Sequence, residues 1–153
     1  WWQFSLVAAL LQVPVYCLSW DSWLLRLSYV LLVAITWANR DRAGGQLLLM
    51  GIVCNALPIL FHGRMPISLE MLAWGGQPLA AGSVLPMSKD IAVSSSPLLI
   101  FGDIIPVHIL GWRAAWSFGD VALCFGILKY CLLGAEPKAG PRATTNEPIH
   151  NMF

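Results

Sequence analysis

The sequence predicts an all-α membrane protein, a bundle of about four transmembrane helices with a long outer loop. Of its 153 residues, 58% are hydrophobic and only 11% are charged, whereas soluble domains are about 45–50% apolar and about 25% charged. Four windows approach the roughly 20 apolar residues that a helix needs to cross the hydrocarbon core. Most of the eight Trp residues lie near the ends of these windows, where aromatic rings favour the membrane interface.

The predicted spans cover about residues 1–18, 22–38, 46–62 and 117–133. We expect helices rather than open strands, because backbone amides in hydrocarbon need hydrogen-bond partners within their own segment. Together with the outer segment 64–116, the spans make one bundle domain over residues 1–134. Residues 135–153 are polar and contain several prolines, which predicts a flexible tail.

The basic residues predict an orientation. Arg40 and Arg42 follow the second span, and Lys138 and Arg142 follow the fourth, so all four fall on one side of the membrane. Loops rich in Lys and Arg stay in the cytoplasm. We therefore expect a cytoplasmic C-terminus, with segment 64–116 on the outer side.

The outer segment 64–116 is too long for an ordinary loop and is interrupted by five prolines. Loops of this length are usually functional or disordered. Its apolar second half, "PLLIFGDIIPVHILGW", is broken by Asp103 and Pro106. We predict that this half is an interfacial or re-entrant stretch packed on the bundle.

The two spans that flank the outer segment carry clear end signals. The third stops at "FHGRMP", where Gly63 suits the left-handed residue that ends a helix and Pro66 prevents continuation. The fourth opens with "WSFGDV", in which Ser117 is the predicted N-cap and Asp120 the third-position carboxylate of a capping box.

These two ends meet at the same outer face of an up–down bundle, which brings a small ionic cluster together. Arg64, Asp103 and Asp120, with Ser117 beside them, could form a clamp that holds the outer segment on the bundle. Partly buried charges are costly unless they are paired. A ligand or proton site and unrelated solvated positions are the alternatives.

Other polar residues are candidates for contact with a small molecule. Asn55 lies inside the third span, where it bonds either a neighbouring helix or a solute. His62 and His108 are expected at one depth near the outer interface, where they could contact a quinone or lipid. No cofactor and no metal are predicted, because no CxxC pair or other ligand spacing occurs.

One face of the fourth span carries the small residues Gly119, Ala122 and Gly126. Small residues let another helix approach closely, and the same face could instead dock a partner protein. Motifs for nucleotide binding, metalloprotease chemistry or nucleophilic catalysis do not occur. A net charge of +1 gives no footprint for nucleic acid.

The chain resembles a family of unknown function, small polytopic bacterial membrane proteins with an "NGG(K/R)MP" signature followed by "GDxIP" and "SxGD". The matching residues are Gly63, Arg64, Met65, Pro66, Gly102, Asp103, Ile105, Pro106, Ser117, Gly119 and Asp120. The sequence departs at Phe61 and His62, where the family has Asn and Gly. The resemblance implies a multi-pass protein of the bacterial cytoplasmic (inner) membrane and implies no activity.

We therefore expect an accessory or structural subunit of a larger bacterial membrane complex, with electron transport as one candidate process. Its partners would be the lipid bilayer and other membrane-protein subunits. Two alternatives remain open: a small transporter or channel with a polar site near Asn55 and Arg64, and an enzyme with its site at the outer interface.

Overall fold

The computed structural model describes residues 10–13 and 22–133, which form three long helices and a small α/β unit. The predicted first span and the predicted tail lie outside the described residues, apart from 10–13. In chain order the elements are α1 (Ser22–Ala38), α2 (Gly45–His62), β1 (Met65–Ser68), α3 (Leu69–Trp74), β2 (Asp90–Val93), a 3-10 helix (Pro97–Phe101), β3 (Ile105–Ile109), β4 (Trp112–Trp116) and α4 (Phe118–Leu133).

The prediction of an all-α bundle with about four spans is wrong. The described chain contains two small sheets besides its helices. Of the described helices, α2 alone has the length and composition to cross a membrane, whereas α1 is apolar but shorter, at 17 residues. The outer segment 64–116, called the cap below, is a folded unit rather than a loop with an interfacial or re-entrant stretch.

Short strands and their prolines explain the error. β1 contains Pro66 and β3 contains Pro106, and proline within an apolar run argues against a strand. β1 also pairs in parallel with β2, from Met65 opposite Asp90 to Ser68 opposite Val93. Such a pairing joins residues far apart in the chain, so local sequence gives no sign of it.

The second sheet is a hairpin of β3 and β4 with a two-residue turn. Ile109 lies opposite Trp112, and the turn residues Leu110 and Gly111 have φ angles of 50° and 86°. Two positive φ values in a two-residue loop are the geometry of a type I′ turn, which matches the twist of paired strands. Leu110 is an unusual residue there, because left-handed backbone favours Gly, Asn and Asp.

α2 lies between α1 and α4 and ends as its sequence predicted. Gly63 has a φ of 79°, and its backbone N–H donates to the Ile59 carbonyl at 2.7 Å. The core between α1 and α2 is built from Leu24, Leu25, Tyr29, Ile52, Ala56, Ile59 and Met65. A second cluster inside the cap contains Ile67, Leu72, Leu85 and Ala92.

α2 and α4 run antiparallel and touch through small residues. A Cβ on Gly119 would collide with Asn55 Oδ1 and would come within 2.7 Å of the Gly51 carbonyl oxygen. A Cβ on Gly126 would lie 2.8 Å from Leu48 Cγ. Gly119, Ala122 and Gly126 are all buried. The small-residue face of α4 therefore packs against α2, within the same chain.

Gly119→Ala tests this close approach. Alanine is favoured over glycine in a helix by about 1 kcal/mol, but overpacking a tight contact costs about 1–3 kcal/mol. We expect a lower unfolding temperature, because the new methyl group meets α2. Cys124→Ala, at an exposed position of the same helix, is the control and should unfold like the wild type. An unchanged or raised unfolding temperature in Gly119→Ala would contradict the packing.

Candidate functional site

The start of α4 is closed by reciprocal hydrogen bonds. The backbone N–H of Asp120 donates to Ser117 Oγ at 3.0 Å, and the backbone N–H of Ser117 donates to Asp120 Oδ2 at 3.0 Å. Both bonds of a capping box are therefore present, with aspartate in place of the usual glutamate. They satisfy amides that a helix start otherwise leaves without partners.

Asn55 joins this box to the middle of the bundle. Its Nδ2 donates to Asp120 Oδ1 at 2.8 Å, and its Oδ1 accepts from Ser117 Oγ at 2.8 Å. Asn55 is 1% exposed and Ser117 is fully buried. Gly119 makes the arrangement possible, since any side chain there would occupy the space of the Asn55 amide. Asn55, Ser117 and Asp120 form the inner network.

A second group of charges lies in the cap. Lys89 Nζ is 3.1 Å from Asp103 Oδ2 and 3.2 Å from Asp90 Oδ1. Ser88 Oγ also donates to Asp90 Oδ2, at 2.6 Å. The Asp103 side chain is 4% exposed. Lys89, Asp90 and Asp103 form the cap network.

The backbone of β1 positions the cap network from both edges. The Met65 N–H donates to the Lys89 carbonyl at 3.0 Å, and the Asp103 N–H donates to the Pro66 carbonyl at 3.1 Å. A Cβ on Gly102 would collide with the backbone carbonyl oxygen of Pro66, so only glycine allows this approach. Two adjacent β1 residues thus bring Lys89 and Asp103 to the same place.

Burial dominates the electrostatics of Asp103. Loss of water raises the pKa of its carboxyl to about 7, with the negative charges of Asp90 and Asp120 adding to the rise while Lys89 opposes it. Asp103 Oδ1 has no hydrogen-bond partner among the described residues. The cap network thus holds a carboxyl that can change protonation near neutral pH.

Lys89 remains a cation. Burial works to lower its pKa, but the negative charges of nearby carboxylates, first Asp90 and then Asp103, raise it above its ordinary value. Because Asp120 influences both Lys89 and Asp103, the inner and cap networks lie within electrostatic range of each other.

The family is decided by a match over most of the chain. A model of the family of unknown function DUF5317 matches residues 3–132. The chain belongs to this family. No curated protein and no solved structure matches it.

In this DUF5317 protein, the two carboxylates of the predicted ionic clamp lie in different networks. Asp103 reaches Lys89, and Asp120 reaches Asn55 and Ser117. Arg64 is buried, and its Nη1 donates to the Ser88 carbonyl at 3.2 Å. Lys89 forms a salt bridge with Asp103, a pairing that sequence reasoning missed. Its signal was "SKD", three adjacent polar residues in a chain with few charges.

The two histidines lie on different elements. His62, at the end of α2, has its Nε2 2.8 Å from Ser96 Oγ, so it ties α2 to the start of the 3-10 helix. His108 is an exposed residue of β3, opposite Arg113 of β4. Arg113 in turn donates to the Trp74 carbonyl at 3.0 Å and holds the hairpin against α3. Among the described residues, no three His, Cys, Asp or Glu side chains could jointly hold a metal ion.

The inner network should behave as one unit in a double-mutant cycle. Asn55→Ala and Ser117→Ala each leave buried polar atoms without partners, which costs about 1–3 kcal/mol. Because the two side chains share a hydrogen bond, the double variant should lose less than the sum, with a coupling of about 0.5–3 kcal/mol. The free energies of unfolding of the wild type, the two single variants and the double variant give this coupling. Strict additivity would show that the two side chains act independently.

The raised pKa of Asp103 predicts a pH dependence of stability. Between its ordinary value of 3.8 and about 7, the folded protein holds a proton that the unfolded chain releases, so stability falls as pH rises through this window. Asp103→Asn removes the titrating group. We expect the wild type to lose stability relative to this variant from about pH 4 to about pH 7. Parallel curves for the two proteins would contradict the assignment.

Proposed function

We propose that the protein is an accessory or structural subunit of a larger membrane complex, with electron-transport complexes as the first candidates to examine. α2 would cross the bilayer, and α1 and α4 would share its hydrocarbon layer. The observation that carries the proposal is an inverted distribution of polarity in the three helices, with hydrogen-bonded polar groups inside and large apolar side chains outside.

The exposed fractions of individual side chains support this interpretation. Asn55 and Ser117 are almost completely buried, whereas Leu132 is 73% exposed and Phe125 is 59% exposed. Exposed apolar patches on this scale mark surfaces that lipid or another protein covers. Inside a bilayer, buried asparagine and serine serve to join helices, which is what the inner network does.

The basic end of the bundle supports an orientation. Arg40 and Arg42 lie between α1 and α2, at the end of the helices opposite the cap. By the positive-inside rule this end faces the cytoplasm and the cap lies on the outer side.

The cap offers a contact for the partner subunit. At the hairpin tip, Leu110 is 97% exposed and Trp112 is 81% exposed. Exposed apolar residues that lie together mark candidate interaction surfaces, and Trp is enriched among the residues that dominate the affinity of protein interfaces. This tip lies at the end of the hairpin opposite Trp116, the residue that leads into α4.

We also propose that the three sequence motifs share a structural role, which is to hold segments distant in the chain together. The first motif contains Pro66, whose carbonyl accepts from Asp103 of the second. The third contains Ser117 and Asp120, which hold Asn55 of α2. The first two motifs thus bond to each other within the cap, and the third joins α4 to α2, which is a structural role for all three.

One observation favours a second candidate, a small proton-linked transporter. Asp103 is a buried carboxyl with one oxygen atom that lacks a described partner, and buried ionisable groups of raised pKa are common at functional sites. Asn55 fits this candidate poorly, because both ends of its amide are used by Ser117 and Asp120.

Leu110→Asn tests the subunit proposal at the hairpin tip. Asparagine suits a type I′ turn better than leucine, so the fold should keep or gain stability while the apolar contact is removed. We expect the wild type to co-purify with a larger complex from native membranes in mild detergent, and the variant to lose about tenfold of it, because burying a leucine side chain contributes about 1.5–3 kcal/mol. Native gels, mass spectrometry and visible absorbance identify the complex and show whether it carries electrons.

The matched control is Met87→Asn. Met87 is also an exposed apolar residue of positive φ, 52°, but it lies outside the hairpin, so its replacement should leave co-purification unchanged. A lone, folded and colourless wild-type protein would contradict the subunit proposal and favour the transporter.

A further inference from the structure

The outer faces of α2 and α4 form an apolar groove. Its volume is about 660 Å³, within the about 300–1,000 Å³ usual for small-molecule sites. The lining is apolar except for Lys129 and includes Cys54, Phe118, Phe125 and Leu128. α4 has 16 residues, so the groove follows a helix of about 24 Å, shorter than the hydrocarbon core of about 30 Å.

The groove continues into a second, basic pocket of about 680 Å³ at the end of the helices opposite the cap. Leu47, Met50, Lys129 and Leu133 line both spaces. The second pocket adds Arg40 and Arg42, with Asp41 as its one carboxylate. Three cations against one anion leave this end of the groove positively charged.

Two of these cations, Arg42 and Lys129, form no salt bridge with another described residue. Arg40 lies over the Trp37 ring at 4.5 Å and donates to the Trp37 carbonyl at 3.0 Å. Lys129 is exposed on α4, next to the apolar lining.

We infer that this groove binds a diacyl lipid with an anionic head group, a phosphodiester without a compensating amine, drawn from the surrounding bilayer. The acyl chains lie along the apolar lining, and the phosphate lies between Arg42 and Lys129. Charge complementarity selects this occupant, because a purely apolar partner helix would bury Lys129 and Arg42 without a counter-charge. The inference rests on the proposed membrane placement of the helices.

Native mass spectrometry provides the test. The purified chain in mild detergent is offered equal amounts of phosphatidylglycerol and phosphatidylcholine with identical acyl chains. We expect one phosphatidylglycerol retained per chain in preference to phosphatidylcholine. Lys129→Gln should reduce this preference about fivefold, and Arg42→Gln should do the same, from the usual contribution of one basic residue near an anionic surface.

Two further variants separate the parts of the site. Arg113→Gln removes an equal charge from the cap, at a residue that lines neither space, and should leave the lipid preference unchanged. Phe125→Ala shortens the apolar lining and should lower retention of both lipids while their ratio stays the same.

Three outcomes would overturn the inference. One is equal retention of the two lipids by the wild type. Another is that free glycerophosphate displaces the bound phosphatidylglycerol at the same concentration as added diacyl lipid does. This result would indicate a free phosphate ligand. The third is a dimer that occludes the groove and excludes lipid.

Alkaline carbonate extraction of native membranes keeps the two proposals distinguishable. Protein that resists extraction but shows no lipid preference removes the lipid inference alone. Protein that is extracted removes the proposed membrane placement, and with it the lipid site.

Discussion

The close contact of α2 with α4 is the constraint on which the rest of the structure depends. Glycines at positions 51, 119 and 126 bring the two helices within backbone distance, and Asn55 fills the space that Gly119 leaves. Once that amide is buried, it needs partners on α4, because an unsatisfied polar group in an apolar interior costs more than its hydrogen bond returns. Ser117 and Asp120 supply them.

This contact also determines where the cap lies. Asp120 caps α4 and bonds α2 at once, so the chain that connects the two helices must return to the point where it left. Residues 64–116 make that return through two short sheets. Their shared anchor is β1, which pairs with β2 on one side and reaches Asp103 on the other. The ionic groups of the cap thereby lie next to the end of the bundle that holds the inner network.

Charge and polarity then divide the molecule into two ends with different chemistry. The cap end holds carboxylates and a lysine that are paired and mostly buried. The opposite end holds cations beside an open apolar groove. Paired charges stabilise geometry, whereas unpaired cations at an apolar surface attract an anionic partner. The two ends therefore suit different tasks, one in holding the fold and one in meeting its surroundings.

The sequence by itself determined the positions of α1, α2 and α4, the glycine end of α2 and the capping box of α4, because each depends on residues within a few positions of one another. It also identified Asn55, Arg64, Asp103 and Asp120 as polar residues that need hydrogen-bond or charge partners in a largely apolar chain. Only the tertiary structure decided which of them meet. Lys89 pairs with Asp103 because β2 pairs with one edge of β1 while the Asp103 backbone bonds to the other edge, a long-range register that local patterns do not encode. The same register converted an expected loop into a folded cap.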